Sequence, residues 1–219
     1  MDGLLSLAEH NGHATLPLDV LAGLTLLALA PFVLVMTTSF VRIVVVLSLV
    51  RSAIGAASLP PNAVLTALAL MLTFAIMSPT LAAVSHDALE PYSAGKLSQR
   101  AFLERAYAPL RRFMLRQTQR RDLDTFARIS GDTARRPAEP PPTELLPAFV
   151  VGELRSAFAI GLALYLPFIA IDLAVASILM GLGMFMLSPP VVSLPCKLLL
   201  FVMVDGWALV CSGVAGSFR

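Results

Sequence analysis

Five charged side chains interrupt or border otherwise apolar sequence: Arg42, Glu153, Arg155, Asp172 and Asp205. An unpaired charge at the centre of a bilayer costs roughly 2.5–3.5 kcal/mol on insertion scales, so each must face protein or water. Three roles fit: a proton or ion path, polar contacts between subunits, or structural salt bridges such as Arg42 with Asp172 or Asp205. A second feature is Met184, Phe185 and Met186, inside the stretch Met180-Gly-Leu-Gly-Met-Phe-Met-Leu-Ser-Pro-Pro190. Unbranched methionines make a deformable apolar surface. Gly181 and Gly183 loosen the chain, and Pro189 and Pro190 are expected to stop the helix. The stretch reads either as core filler or as a movable constriction. A third feature is the basic run Arg111, Arg112, Arg116, Arg120 and Arg121, with Arg112, Arg116 and Arg120 spaced to share one helical face. It fits a lipid-headgroup or partner contact, or a solvated face balanced by Glu104, Asp122 and Asp124.

Other chemistry is not suggested. The sequence has no P-loop, no dinucleotide fingerprint opening a helix and no HExxH. His10 and His13 share a helical face, but no Cys or carboxylate stands at ligand spacing, so they read as a solvated pair; His86 stands apart. Cys196 and Cys211 form no CxxC motif. No enzymatic activity, cofactor or metal is expected.

The positions of these residues follow from composition. Of 219 residues, 57% are apolar and 14% charged, against roughly 45–50% and 25% in soluble domains. The thirty charges divide as three in 1–19, two in 20–84, nineteen in 85–144 and six in 145–219. Two apolar blocks therefore flank one polar block, which is the layout of a membrane protein with a soluble insertion. The net charge of +2 is too small for a nucleic-acid binder.

Residues 20–50, 63–84, 158–187 and 198–214 read as four hydrophobic helical segments. The first and third are overlong and polar in the middle, so they are expected to be broken. The fold class is an all-α membrane protein of two helical hairpins with a helical insertion. Its parts are an N-terminal periplasmic segment 1–19, a first hairpin 20–84, a periplasmic insertion 85–144 with a Pro-rich linker, and a second hairpin 145–219 with the Met-rich loop. Within the insertion, apolar residues from Phe102 to Met114 recur at helical spacing behind Ser98 as N-cap, and a second short helix is expected at 122–129. The N-terminus lacks the basic region of a signal peptide.

The string of motifs from Pro31 to Phe218 resembles the FliP/SctR family of type III secretion export-gate proteins. It comprises Thr38-Ser-Phe-Val-Arg-Ile through Gly55, Leu59-Pro-Pro-Asn62, Leu72-Thr-Phe, Met77-Ser-Pro79, Leu146-Pro-Ala-Phe149, Glu153-Leu-Arg-Ser-Ala-Phe158, Pro167-Phe168, Ile171-Asp-Leu173, Ser193-Leu-Pro195 with Lys197, and Val204-Asp-Gly-Trp207. Phe113 to Thr118, Asp122-Leu123 and Phe126-Ala127 resemble the flagellar branch more than the injectisome branch; Gly152 and Ala159 stand where the family usually has polar residues. The resemblance implies a non-enzymatic subunit, present in several copies with two smaller membrane proteins. Together they form a cone-like gate in the bacterial inner membrane, at the flagellar basal body or injectisome base. Unfolded substrate proteins pass through it. It also implies that Met184, Phe185 and Met186 form a gasket around the closed pore, Phe185 replacing the usual Met. The alternative from another class is a small secondary transporter or ion channel using Arg42, Asp172 and Asp205.

Residues 1–19 carry three acids and no Lys or Arg, whereas the hairpin turns carry Arg51 and Lys197. Short loops rich in Lys and Arg stay inside, so residues 85–144 are expected in the periplasm and the 51–62 turn in the cytoplasm. In intact spheroplasts, a membrane-impermeant maleimide should label Cys introduced at Lys96 but not at Ser58; the opposite pattern contradicts this topology.

Overall fold

The computed structural model describes residues 24–25, 28, 31–56, 59–131 and 140–218, and among these the regular structure is helical throughout. The segment 1–19, with His10 and His13, and linker residues 132–139 lie outside the described residues. Residues 1–35 and 36–219 form two separate compact units.

In the second unit, α1 (Phe40–Ile54) follows the polar triplet Thr37-Thr38-Ser39. There the Phe40 N–H donates to Thr38 Oγ1 at 3.4 Å instead of continuing a helical ladder. Gly55 ends α1 in the left-handed region (φ 85°), its N–H donating to the Ser52 carbonyl. Helix α2 (Asn62–Val84) continues through a π turn (Ser85–Leu89) into Glu90–Ser93. The insertion supplies α3 (Gln99–Gln117) and α4 (Arg120–Ile129). Ser98 caps α3 as its sequence position suggests, its Oγ accepting from the Ala101 N–H at 3.3 Å. Because α3 ends at Gln117, Arg112 and Arg116 lie on α3 while Arg120 opens α4. The three arginines expected on one helical face are thus divided between two helices.

Helix α5 (Pro142–Gly181) is 40 residues long. At 1.5 Å per residue it spans about 60 Å, roughly twice a bilayer's hydrocarbon core. It is overlong as expected but unbroken, and it starts well before residue 158. Pro142 suits the first helical position, where its missing N–H costs nothing, and each interior proline (Pro147, Pro167) forfeits only one bond of a long ladder. Pro189 and Pro190, expected to end this segment, instead open α6 (Pro189–Met203). The stop comes from residues 182–188, with Gly183 at φ 72°. The fourth segment, expected whole, is also broken: α7 (Gly206–Gly216) leaves α6 at 65°. Asn62–Ser93 and Pro142–Gly181 are each long and apolar enough to cross a membrane, and the bent pair α6–α7, or Pro31–Thr37 with α1, meets the same test jointly.

Helix α1 is the central post. Ile43, Val46, Leu47 and Val50 are buried among Leu65 and Ala69 of α2, Ala157 and Phe168 of α5, Phe201 of α6, and Val210 and Val214 of α7. A second cluster joins Met77 of α2, Phe113 and Met114 of α3, and Leu145 and Phe149 of α5, and Phe218 packs against both clusters. Helices α1 and α5 come close because Gly161 has no side chain; a Cβ there would collide with Leu49. Gly161→Leu should therefore lower stability by about 1–3 kcal/mol through overpacking, read as thermal unfolding in detergent. Gly213→Ala, whose Cβ meets open space, should leave it nearly unchanged; equal melting of both variants contradicts the close approach.

Candidate functional site

Four of the five charges in the apolar sequence settle into ion pairs, and their partners are not readable from spacing. Arg42 of α1 pairs with neither Asp172 nor Asp205. Its Nε and Nη2 donate to the two carboxylate oxygens of Glu153 on α5, at 2.8 and 2.5 Å. Nη1 donates to the Ser217 carbonyl and hydroxyl, both at 3.0 Å, and Nη2 also reaches Gln117 Oε1 at 3.4 Å. The Phe218 ring lies 3.9 Å from the guanidinium carbon. With Arg42 and Glu153 both buried, this planar fork meets acceptors in its plane and an aromatic face above it, the environment a desolvated guanidinium requires.

Asp172 of α5 instead meets α6. It accepts from Lys197 Nζ and from Ser193 Oγ, each at 2.6 Å. Lys197 also donates to the Ala53 carbonyl at 3.3 Å. That oxygen is among the last carbonyls of α1, which have no partner within the helix, so the ammonium also offsets the negative end of the helix dipole. In the sequence, Lys197 bears only on orientation and on one motif. The missed signal was an ammonium and a carboxylate on the two arms of one apolar hairpin.

Arg155, half-exposed, donates to both oxygens of Asp122 at 2.7 Å, tying α4 of the insertion to α5. Gly152, one turn earlier on α5, lies against that carboxylate; a Cβ there would make only ordinary contact, 3.5 Å from Asp122 Oδ2. Asp205 differs from the other four. It occupies the corner between α6 and α7 at φ 49°, a backbone region Asp tolerates better than most residues. Its side chain is exposed, and no partner for it occurs among the described residues.

The Met-rich loop stands away from these pairs. Met184 is partly covered, Phe185 is 79% exposed and Met186 fully so. The loop is held at its base by the Met184 N–H donating to the Leu179 carbonyl at 2.9 Å. Phe158, Leu162, Leu166, Leu173 and Ile178 on α5 are also exposed. An open groove of about 810 Å³ at the α1–α2 turn and α6 is lined by Ile54, Leu59, Val64, Leu194, Leu198 and Trp207 among others, with no charged side chain. A solute site would show a few convergent polar groups. Among the described residues no three His, Cys, Asp or Glu side chains are grouped to hold a metal.

Charges paired inside, apolar side chains turned outward and helices longer than a bilayer define an integral membrane subunit built to be covered by lipid and by other chains. The chain belongs to the FliP family, whose sequence model matches residues 23–214. It is 48% identical to the flagellar biosynthetic protein FliP of Pectobacterium carotovorum subsp. carotovorum, across all of this chain and 86% of that protein. It is 42% identical to the protein of that name from Aquifex aeolicus, across 98% and 91% of the two lengths. For Bacillus subtilis the identity is 43%, across 95% and 94%.

Removing one member of a buried pair strands the other. Arg42→Met should cost about 3–5 kcal/mol, and the double variant Arg42→Met/Glu153→Leu should recover most of the loss. Thermal unfolding followed by the fluorescence of the single Trp207 measures both. A double variant no more stable than the single one contradicts a pairwise role.

Proposed function

We propose that this chain is a core subunit of the type III protein export gate of the bacterial flagellum. In this reading several copies assemble with two smaller membrane proteins in the inner membrane, and unfolded flagellar proteins pass through the pore they enclose. The subunit is structural rather than enzymatic. The observation that carries the proposal is the exposed Met184-Phe185-Met186 loop at the end of the outward-apolar α5, in a chain of the FliP family. All three relatives described above bear a flagellar name, which supports the flagellar over the injectisome branch. The transporter reading is weaker, because Arg42 and Asp172, two of the three charges it would use, are each closed in an ion pair.

A pore wide enough for an unfolded chain must not leak ions when idle. Apolar side chains crowded at a constriction exclude water and raise the barrier to hydrated ions. In the assembled gate, Met184, Phe185 and Met186 would converge on the axis and supply that crowd. Methionine fits because its rotatable bonds let it fill gaps and then yield. The Phe185 ring is stiffer and would favour sealing over easy opening.

Met184→Ala/Phe185→Ala/Met186→Ala should raise the resting conductance of the complex in planar bilayers while leaving assembly intact, and Leu at all three positions should keep the seal better than Ala. A triple-Ala complex that assembles normally and leaks no more than wild type contradicts the gasket role. Loss of the chain from its own bacterium should stop secretion of flagellar filament protein; continued secretion contradicts the gate assignment itself.

A further inference from the structure

Two openings lie along the seam between α2, with the turn that follows it, and α3. One, of about 410 Å³, has Arg112 and Arg116 on its α3 side and Pro79, Thr80 and Ala83 opposite. The other, of about 420 Å³, has Arg105 and Ala108 on its α3 side and His86, Asp87 and Pro91 opposite. On α3 these residues are spaced as one helical stripe, so both openings face the same way and make one trough. From Arg105 to Arg116 it runs about 16 Å at 1.5 Å per residue.

Arg105, Arg112 and Arg116 are exposed, and among the described residues none of them has an ion-pair or hydrogen-bond partner. The acids nearby are engaged. Glu104 pairs with Arg100 at 3.3 Å, Asp122 with Arg155 at 2.7 Å, and Asp87, inside the trough, with the His86 ring at 2.9 Å. Three cations therefore line one side of the trough, and the one carboxylate opposite them is already taken.

The spacing narrows the occupant. The three arginines are separated by seven and by four residues, which is two turns and one turn of helix. A lone phosphate meets only neighbouring guanidinium forks and leaves the third cation unpaired. Carboxylates repeated at the same intervals along a second helix meet all three. The opposite side, with Pro79, Ala83 and Pro91, offers small apolar groups for such a helix to lie against. A second copy of this chain does not supply that helix. Among the described residues, no helix carries two acids four, seven or eleven positions apart.

We propose that the α2–α3 trough is a docking site for an acidic amphipathic helix of a different polypeptide. Arg105, Arg112 and Arg116 pair with carboxylates along one side of that helix, and its apolar side lies against Pro79, Ala83 and Pro91. This rests on the reading above that the chain works among other chains, and adds where one of them is received and by what chemistry.

The test uses the full chain in membranes of its own bacterium, where its natural neighbours are present. Arg112→Lys and Arg116→Lys, made separately, keep the charge but place a primary amine in the trough. A water-soluble carbodiimide joins amines to carboxylates in ion-pair contact, forming an amide and taking up the water lost. The expected product is an amide from position 112 or 116 to a different polypeptide. Mass spectrometry should locate it in a segment with a second acid four, seven or eleven residues away. Arg121→Lys, exposed and outside the trough, should give less than about a tenth of that yield. Adding Arg105→Glu spares the amine but repels the same segment, and should lower the yield about fivefold or more. Equal membrane levels and unchanged circular dichroism of the purified chains establish that the variants fold. Amides confined to this chain, within one copy or between copies, would overturn the proposal. Equal yields from Arg121→Lys would show diffuse attraction and overturn it too. So would the absence of any polypeptide adduct, and if Arg112→Gln/Arg116→Gln then also loses co-purified phosphatidylglycerol, the trough belongs to lipid. Contact is read here without reference to secretion. An unoccupied trough in a strain that still exports filament protein therefore defeats this proposal alone and leaves the gate reading standing.

Discussion

A guanidinium cut off from solvent must be met on every side by its own protein, and Arg42 imposes that requirement on three separate parts of the chain. Glu153 neutralises it from α5, Gln117 reaches it from the end of α3, and Ser217 and Phe218 close over it after α7. Leaving such a group short of partners costs several kcal/mol, so α1 cannot rotate or slide against α5 without breaking the set. The apolar clusters then fill in around a post whose register is already fixed. Lys197 performs the same service at the opposite end of α1, joining Asp172 on α5 to the Ala53 carbonyl. Two ionic contacts, one near each end of α1, hold the long helix alongside the short one.

This arrangement inverts the pattern of a soluble globule, with polar groups paired inside and apolar groups turned outward. Helix α5 shows the consequence most plainly. Glu153 and Ala157 are buried while Phe158, Leu162 and Leu166 stand exposed, and about 60 Å of helix cannot all lie in a hydrocarbon layer of roughly 30 Å. In the proposed gate, lipid would cover one part of such a helix and other chains the rest, which would account for both the surplus length and the apolar surface. It also gives Asp205 a context, since an exposed carboxylate at an apolar corner needs water or a neighbour's cation.

Much of the helical content was legible because apolar periodicity, charge distribution and capping are local. Ser98 announces the start of α3. Proline was misread where its effect depends on position within the helix. Pro189 and Pro190 read as a stop because proline cannot continue a helix, yet its fixed φ suits a helix start equally well. The third segment stays whole at Pro167 because packing around α5 outweighs one missing hydrogen bond. The ion pairs were illegible for another reason. Arg42 and Glu153 are 111 residues apart, and nothing in either segment distinguishes Glu153 from Asp172 or Asp205 as the partner. Pairing depends on which helix faces which, and that is set by non-local contacts such as Gly161 against Leu49.

As proposed, this chain is one subunit of a closed heteromeric gate rather than a self-sufficient membrane protein. Native mass spectrometry of the complex captured through a tag on this chain, extracted from its own membrane, tests it most directly. A single assembly containing several copies of the chain and two smaller membrane proteins is expected. A monodisperse monomer that carries a solute across vesicles unaided would contradict it.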